Sequence, residues 1–491
     1  MAGWRRRLGW AAMAAAVAGC TVGPDFKPPA PAAQSGFPDQ PLGRAGAGEV
    51  QQSAAAAADI RADWWTLLAS PALGAVERQA LTDNWTLAAR QAAIARARQA
   101  LAAVHGEDYP ALATQGQAGQ TRIGATVFGP DAYSFPIFSA YGAGLSAAYE
   151  PDLFGSRRRR VEAAGAAEMS EVHERDAAAL TLVGNVALQA IAAAEATREI
   201  ELTNQIVASD EQTLTMVRQA HASGASPNTD VELAAATADQ DRARIPALRQ
   251  RLQTAQDALA VLVGRSPADW RPPAFRLADF TLPSALPTTV PSVLARRRPD
   301  ILAAEDRLHA ANAAIGVATA DLYPRLELSA DVAREGLFNG PSETAWNLLG
   351  GVAAPIFNGG RLLAAKREAQ AAYRQSFAEY QDVVVASLAQ VSGALNALAN
   401  DADALAAQEQ ARASAARSLG LVRQGYAAGG ADLVQVLKAQ RLLDDAEISV
   451  EQARADRLAN TVRLFVALGI HPPHWMDASR EAERKPGAPK L

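Results

Sequence analysis

The chain has 491 residues, a formal net charge of −5 at pH 7, and 49% hydrophobic residues of which few are aromatic (6% Phe, Trp and Tyr). Apolar mass carried by Ala, Leu and Val is the composition of long, closely packed helices, and a net negative charge disfavours a nucleic-acid partner. The six His (His105, His173, His221, His309, His471, His474) fall at no metal-ligand spacing, no Gly-rich phosphate loop follows a strand, and no Ser sits in a nucleophile elbow, so no metal, no catalytic residue and no enzyme activity is expected.

In chain order, Arg5-Arg6-Arg7 followed by the apolar run Leu8 to Ala18 reads as a secretory signal over 1–19, too short to span a bilayer. Cys20 closes Val17-Ala18-Gly19-Cys20 and is the sole cysteine; the run resembles a bacterial lipobox, which implies N-acyl and S-diacylglycerol groups on Cys20 and no other cofactor. Thr21 at the next position is similar to lipoproteins sent to the outer membrane. Removing 1–19 takes away three Arg and no acid, moving the formal charge from −5 to −8. Beyond the signal, no run of eighteen uncharged apolar residues occurs, so a mature chain that crosses a membrane is expected to do so with strands.

Residues 20–58, rich in Pro, Ala, Gly and Gln, read as a lipidated tether with no core of its own. Asp63-Trp64-Trp65 and Pro71 to Leu81 suggest a short anchoring helix. A first unit over 59–267 is expected to hold helices near 84–105, 155–222 and 229–263 and strands near 111–121 and 140–150. A second over 268–470 is expected to hold helices near 297–319, 360–425 and 433–468 and strands near 325–334 and 346–356, and 471–491 form a tail.

The period of two is strongest in Arg325 to Val332 and in Tyr141 to Tyr149, over about the ten residues a tilted membrane strand needs. It is weaker in Leu112 to Thr121 and Trp346 to Ala354, which read equally as half-buried strands of a soluble sheet. Ile123 to Ser139 and Glu335 to Ala345 read as the intervening loops. In the second long helix Tyr373, Phe377, Tyr380, Val384, Leu388, Val391, Leu395, Leu398, Ala402 and Leu405 recur in steps of three and four, a coiled-coil seam with one stutter; such a helix is about 100 Å long. Each long helix ends at a Gly turn, Gly224-Ala225-Ser226-Pro227-Asn228 or Gly429-Gly430-Ala431-Asp432, and a second helix returns. Pro246 should kink the first return helix where the second has Glu451.

Residues 217–267 align with 422–472 at a constant offset of 205 (Val217/Val422, Arg218/Arg423, Gly224/Gly429, Asp239/Asp444, Gly264/Gly469, Pro267/Pro472), so one unit is duplicated. Four strands cannot close a membrane barrel, whose smallest forms have eight, so several chains must share one; three would supply twelve strands.

Arg297-Arg298-Pro299-Asp300-Ile301, Ala310 to Gly316, Tyr323-Pro324, Tyr149 to Gly155, Pro355 to Arg361 and Cys20 to Phe26 together resemble the outer-membrane efflux protein family, the TolC- and OprM-like factors, in its NodT-type lipoprotein branch. The resemblance implies a mainly α fold with a transmembrane β part: a homotrimer whose long α-helical hairpins form a periplasmic α-barrel continuous with a 12-stranded outer-membrane β-barrel, anchored at Cys20 among outer-membrane lipid. It further implies an exit duct for small molecules, fed by a proton-driven inner-membrane pump of the RND type through a periplasmic adaptor. The alternatives are an outlet for type I polypeptide secretion and a periplasmic adaptor, which would carry one hairpin flanked by compact β-domains. In the family the hairpin tips close the tunnel, here Arg218 to Val231 and Arg423 to Arg441. The resemblance places a constriction at Val434, a charged ring at Lys438 with Arg441 beside it, and Asp432 or Asp230 as the acids that could neutralise it. Arg218, Gly224, Arg423 and Gly429 are the candidate adaptor contacts. Lys438 departs from the acidic residue usual at its position, and the alternative is that it faces solvent outside the hairpin.

Overall fold

The computed structural model describes residues 21–30, 52–56, 63–121, 137–288 and 297–469; the signal, Cys20 and the tail 471–491 lie outside them. Eight helices are seen among these residues: α1 (Pro71–Asp83), α2 (Trp85–Gly106), α3 (Ser156–Ala222), α4 (Asn228–Arg242), α5 (Ile245–Leu262), α6 (Pro299–Ala320), α7 (Arg361–Ala427) and α8 (Leu433–Ala467). The strands are β1 (Ser53–Ala56), β2 (Ala111–Thr121), β3 (Phe138–Tyr149), β4 (Ala285–Thr288), β5 (Arg325–Leu337) and β6 (Ser342–Ala353). The duplication extends to the helix ends: α3 and α7 have 67 residues each, and their first residues, Ser156 and Arg361, stand at the same 205-residue offset as Asn228 and Leu433. Both α3 and α7 also contain an Ala-rich window of mean hydropathy 1.7 or 1.4, so composition alone does not keep them out of a bilayer; more than half of the α3 window is buried in protein.

The chain divides into two compact units, one from Met1–Pro29, Ala93–Val172 and Ala303–Gln381, the other from Ala30–Ala92, His173–Leu302 and Asp382–Leu491. The first contains an antiparallel sheet of order β2-β3-β5-β6. Partners across antiparallel strands share a face, and the register sorts the side chains cleanly. Leu112, Ala147, Ala330 and Leu348 lie in one row, with Thr114, Leu145, Val332 and Trp346 in the next row of the same face. On the opposite face Gln117, Gly142, Glu335 and Glu343 form one row, and Ala113, Ser146, Asp331 and Asn347 another. Trp346, Leu348 and Leu112 are exposed at 77%, 73% and 81%, so one face is apolar and uncovered while the other is polar. The loop expected over Glu335 to Ala345 is shorter than the sequence indicates. Pairing continues through Glu335↔Glu343 and Gly336↔Ser342, leaving only 338–341 as the turn, because both glutamates fit the polar face.

In the same unit residues 21–26 are pinned, contrary to the expectation of a tether without a core. Val22 donates its amide to Phe154 O (3.0 Å), Asn312 Nδ2 donates to Pro24 O (3.0 Å), Arg159 pairs with Asp25 (2.7 Å), and Phe26 stacks on His309 with ring centroids 4.3 Å apart. Gly23, at φ +99°, lies so close to Gly316 that a Cβ on it would stand 2.5 Å from the Gly316 Cα. Proline-rich composition described the strap, while its seat is built by α3 and α6.

The second unit has the larger hydrophobic core, in which Trp64 stacks on Phe465 (5.2 Å) among Leu68, Leu73, Ile191, Leu259 and Leu398. β1 pairs in parallel with β4, and buried Gln52 accepts from Arg457 Nε (3.1 Å), so this end of the expected tether is also structured. Arg298 is 6% exposed. Its guanidinium donates to Ala467 O (2.6 Å), Gln390 (2.8 Å) and Asp300 (2.7 Å), placing a cation on the C-terminal carbonyls of α8, where the helix dipole favours one. Pro246 does break the first return helix: α4 stops at Arg242 and α5 restarts at Ile245, with Pro246 in its first turn, where a missing N–H costs little. α8 runs unbroken for 35 residues.

Candidate gate at the hairpin tips

Both tips lie in the second unit and are built by the same local chemistry. Gly224 (φ +79°) and Gly429 (φ +77°) take the left-handed conformation that L side chains avoid, and each allows the bond that closes a helix end, Ala225 N→Ala220 O and Gly430 N→Gly425 O, both 2.8 Å. The return helices start differently. Asp432 accepts from Gln435 N (2.7 Å) while Gln435 Oε1 accepts from Asp432 N (3.3 Å), a capping box. Asp230 instead accepts from Ser226 Oγ (2.8 Å), and α4 has no side-chain cap.

Val434 is 37% exposed. Lys438 is exposed one turn further on, and among the described residues it has no ion-pair partner; Asp432 and Asp230 are engaged by the contacts above. Arg218 is exposed, whereas Arg423 donates to Gln440 Oε1 (2.7 Å). Arg441, which the resemblance sets beside Lys438, is about one-third exposed and its guanidinium meets two acids. Its Nη1 is 2.8 Å from both oxygens of Asp241, and its Nε is 3.3 Å from Asp445. This bridge joins the return helices of the two hairpins.

Asp241 on α4 is itself buried at 1% exposure, and two further acids not singled out from the sequence lie near it, Asp210 on α3 and Asp444 on α8, exposed at 4% and 5%. Arg244 Nη1 also donates to Asp241 Oδ1 (3.2 Å), so two guanidiniums address that carboxylate. Burial, reinforced by the neighbouring Asp241 carboxylate, lifts Asp210 to about 6. Burial also lifts Asp444 to about 7, against the hydrogen bond from Gln440 and with Asp210 and Glu447 adding to it. Arg423, Gln440 and Asp444 form a chain of 2.7 Å bonds that brings α7 into the same network. α3 joins through Glu211, which accepts from Arg242 Nη2 of α4 (2.6 Å), so all four helices of the two hairpins are tied by polar contacts, and nothing in the arrangement offers a nucleophile or a metal site; no acid or His cluster among the described residues fits a metal ion.

The outer membrane efflux protein family matches residues 76–265 and 290–470. The chain is 32% identical over 426 residues to the pyoverdine export outer membrane protein OpmQ of Pseudomonas aeruginosa, with 84% of this chain and 88% of that protein covered. Its fold is similar to the outer-membrane channel OprN (TM-score 0.83, 24% identity, covering 92% of this chain and 99% of that one). It is also similar to the open state of the MtrE outer membrane channel of Neisseria gonorrhoeae (TM-score 0.79, 26% identity, 92% and 99%). With a match over most of its length and hairpins, sheet and caps of the kind described, this chain belongs to the outer membrane efflux protein family and is an outer-membrane efflux channel, not an enzyme.

Proposed function

We propose that three copies of the chain form one twelve-stranded barrel and one helical tunnel, and that the assembly is the exit duct of a tripartite system, receiving small molecules from an inner-membrane pump through a periplasmic adaptor. The observation that carries the reading is the sheet of the first unit. It has an apolar face exposed along its length, a polar opposite face, and outer edges on β2 and β6 with no strand partner among the described residues. In hydrocarbon an unpaired edge leaves backbone groups without partners, and closure with further copies is the arrangement that satisfies them. The apolar face then meets lipid and the polar face lines the lumen.

Cys20, one residue before the pinned strap, carries the acyl groups in this reading. Val434 forms the constriction of the closed tunnel, with three Lys438 side chains behind it and Asp432 and Asp230 nearby, and Arg218, Gly224, Arg423 and Gly429 face the adaptor. The names of relatives, such as the pyoverdine exporter and the toluene efflux pump outer membrane protein TtgI of Pseudomonas putida, favour small molecules over polypeptides as the cargo. The test is an unheated gel of outer-membrane extract: a band at three chain masses that collapses to one on boiling supports the assembly, and a monomer under all non-denaturing conditions refutes it.

A further inference from the structure

β3 and β5 join the two copies of the repeat within one chain. β2 and β5 are twins, for each starts directly after a Tyr-Pro pair: Tyr109-Pro110 before Ala111 and Tyr323-Pro324 before Arg325, an offset of 214. β3 and β6 are twins at the offset of 205, which carries Ser156 to Arg361 and Ala148 to Ala353. The two hairpins agree with both offsets, since Ala111 pairs with Ala148 and Arg325 with Ala353. The twin of the β3–β5 joint is then β6 against the β2 of another copy. Carried over residue by residue, Ser146↔Asp331 and Gly144↔Ala333 become Gly351↔Gln117 and Leu349↔Gly119. In this register Gly351 and Leu349, which share the polar face with Asn347, meet Gln117 and Gly119, which share it with Ala113; a slip of one residue would set unlike faces together.

The foot of the joint points the same way. Inside the chain Arg325 Nε stands 4.0 Å from Glu150 Oε1, and Phe154 stacks on Tyr323 with ring centroids 4.7 Å apart. The twins of the first pair are Ala111 and Pro355, and those of the second are Tyr109 and Gly359. Tyr109 is 75% exposed and has no ring partner among the described residues, and between Pro355 and Gly359 the chain bares Ile356 at 97% and Phe357 at 90%. Apolar side chains this exposed, on the two open edges of one sheet and at the same end, mark surfaces to be covered.

We propose that Ile356 and Phe357 of one copy close over Tyr109 of the next, with β6 and β2 paired in the register that sets Gly351 opposite Gln117. The inference rests on the reading of the chain as one of three copies in a shared barrel. Phe357, two residues before Gly359, supplies the ring that Phe154 supplies in the first repeat. The joint within the chain is closed partly by charge, through Arg325 and Glu150, whereas Ala111 and Pro355 leave the joint between copies without an ion to desolvate when it forms.

The test places cysteine pairs in the full chain, treats outer membranes with an oxidant and runs boiled, non-reducing gels. Opposed residues on antiparallel neighbours have Cα atoms about 4.5–5.5 Å apart, within disulfide reach, while residues two places off register stand about 7–8 Å apart. Gly351→Cys with Gln117→Cys, and separately Leu349→Cys with Gly119→Cys, should give covalent ladders that end at three chains. A Cβ on Gly351 or Gly119 meets nothing within 4 Å. Gly351→Cys with Gln115→Cys or with Gly119→Cys, and each single variant beside the native Cys20, should stay at one chain mass. Ladders from the slipped pairs alone would overturn the register and leave the shared barrel standing, as would an unheated oligomer that none of the pairs cross-links. A chain that is monomeric before boiling, wild type included, would overturn both. Phe357→Ala and Tyr109→Ala should each lower the temperature at which the unheated oligomer falls apart, and the double variant should lower it no further than the worse single one. Shifts that add in full would overturn the contact.

Discussion

Arg441 on the second return helix places one nitrogen 2.8 Å from each carboxylate oxygen of Asp241, two hundred residues earlier on the first. Asp241 has a side chain only 2% exposed, whereas Arg441 is 34% exposed. Arg441→Ala leaves a buried carboxylate with Arg244 as its remaining cation, which should cost about 2–3 kcal/mol, below the full value for a buried pair because one partner already meets water. Asp241→Asn, which leaves an exposable cation behind, should cost less. Thermal melts followed by helical circular dichroism should rank the variants in that order, and equal losses would count against the burial argument.

Glu77 is fully buried with neither oxygen hydrogen-bonded, and burial holds its acid form well above the ordinary glutamate range. A group whose folded-state value is raised contributes stability that is complete below its unfolded value and fades as pH climbs through the folded one; Asp210 and Asp444 act in the same direction. The melting temperature of the wild type should therefore fall as the pH rises from about 4 past about 7. Glu77→Leu, of similar volume, should be stabilising by about 1–3 kcal/mol because it removes unsatisfied buried oxygens. A less stable Leu variant would mean that Glu77 has a partner in the assembled protein.

Gly23 is both left-handed and in contact with Gly316. Gly23→Ala should cost about 1–3 kcal/mol from strain alone and unseat residues 21–26. Hydrogen exchange at the Val22 amide, which is bonded to Phe154 O, should quicken markedly in the variant. Unchanged protection of Val22 would show that the strap tolerates the side chain.

The Gly-capped turns and the break at Pro246 were legible in the sequence because each is set by residues within one turn of the feature, a left-handed glycine or a missing N–H, and the 205-residue offset because both copies keep the same residues at the same spacing. The extent of β5 and β6 was not, since Glu335 and Ser342 to Ala345 look like loop until the partner strand places them on the polar face. Composition also misjudged the strap, whose order comes from Arg159, Asn312 and His309, far along the chain. The acid cluster was hidden for a related reason. Asp444 reads as the twin of Asp239 in the repeat, yet the Asp239 side chain is 73% exposed beside Arg242 while Asp444 is buried. Which copy is buried depends on the neighbouring helix, and no local pattern records that. Arg441 was picked out for its nearness to Lys438, but the direction of its side chain is fixed by Asp241 and Asp445.

Lys438 is exposed and has no ion-pair partner among the described residues. If three of them surround the pore, they draw anions, and Lys438→Asp should shift the reversal potential under a salt gradient toward cation preference. An unchanged reversal potential would place Lys438 on the outer surface of the hairpin.

The proposed duct has the hairpin tips at its mouth, where the Arg441–Asp241 bridge joins the two return helices. Its most direct test is the conductance of the purified, unboiled oligomer in a planar bilayer, wild type against Arg441→Ala. Uniform current steps that grow larger or more frequent in Arg441→Ala are the predicted result, and an Arg441→Ala protein that inserts into the bilayer as an oligomer yet carries no current would contradict it.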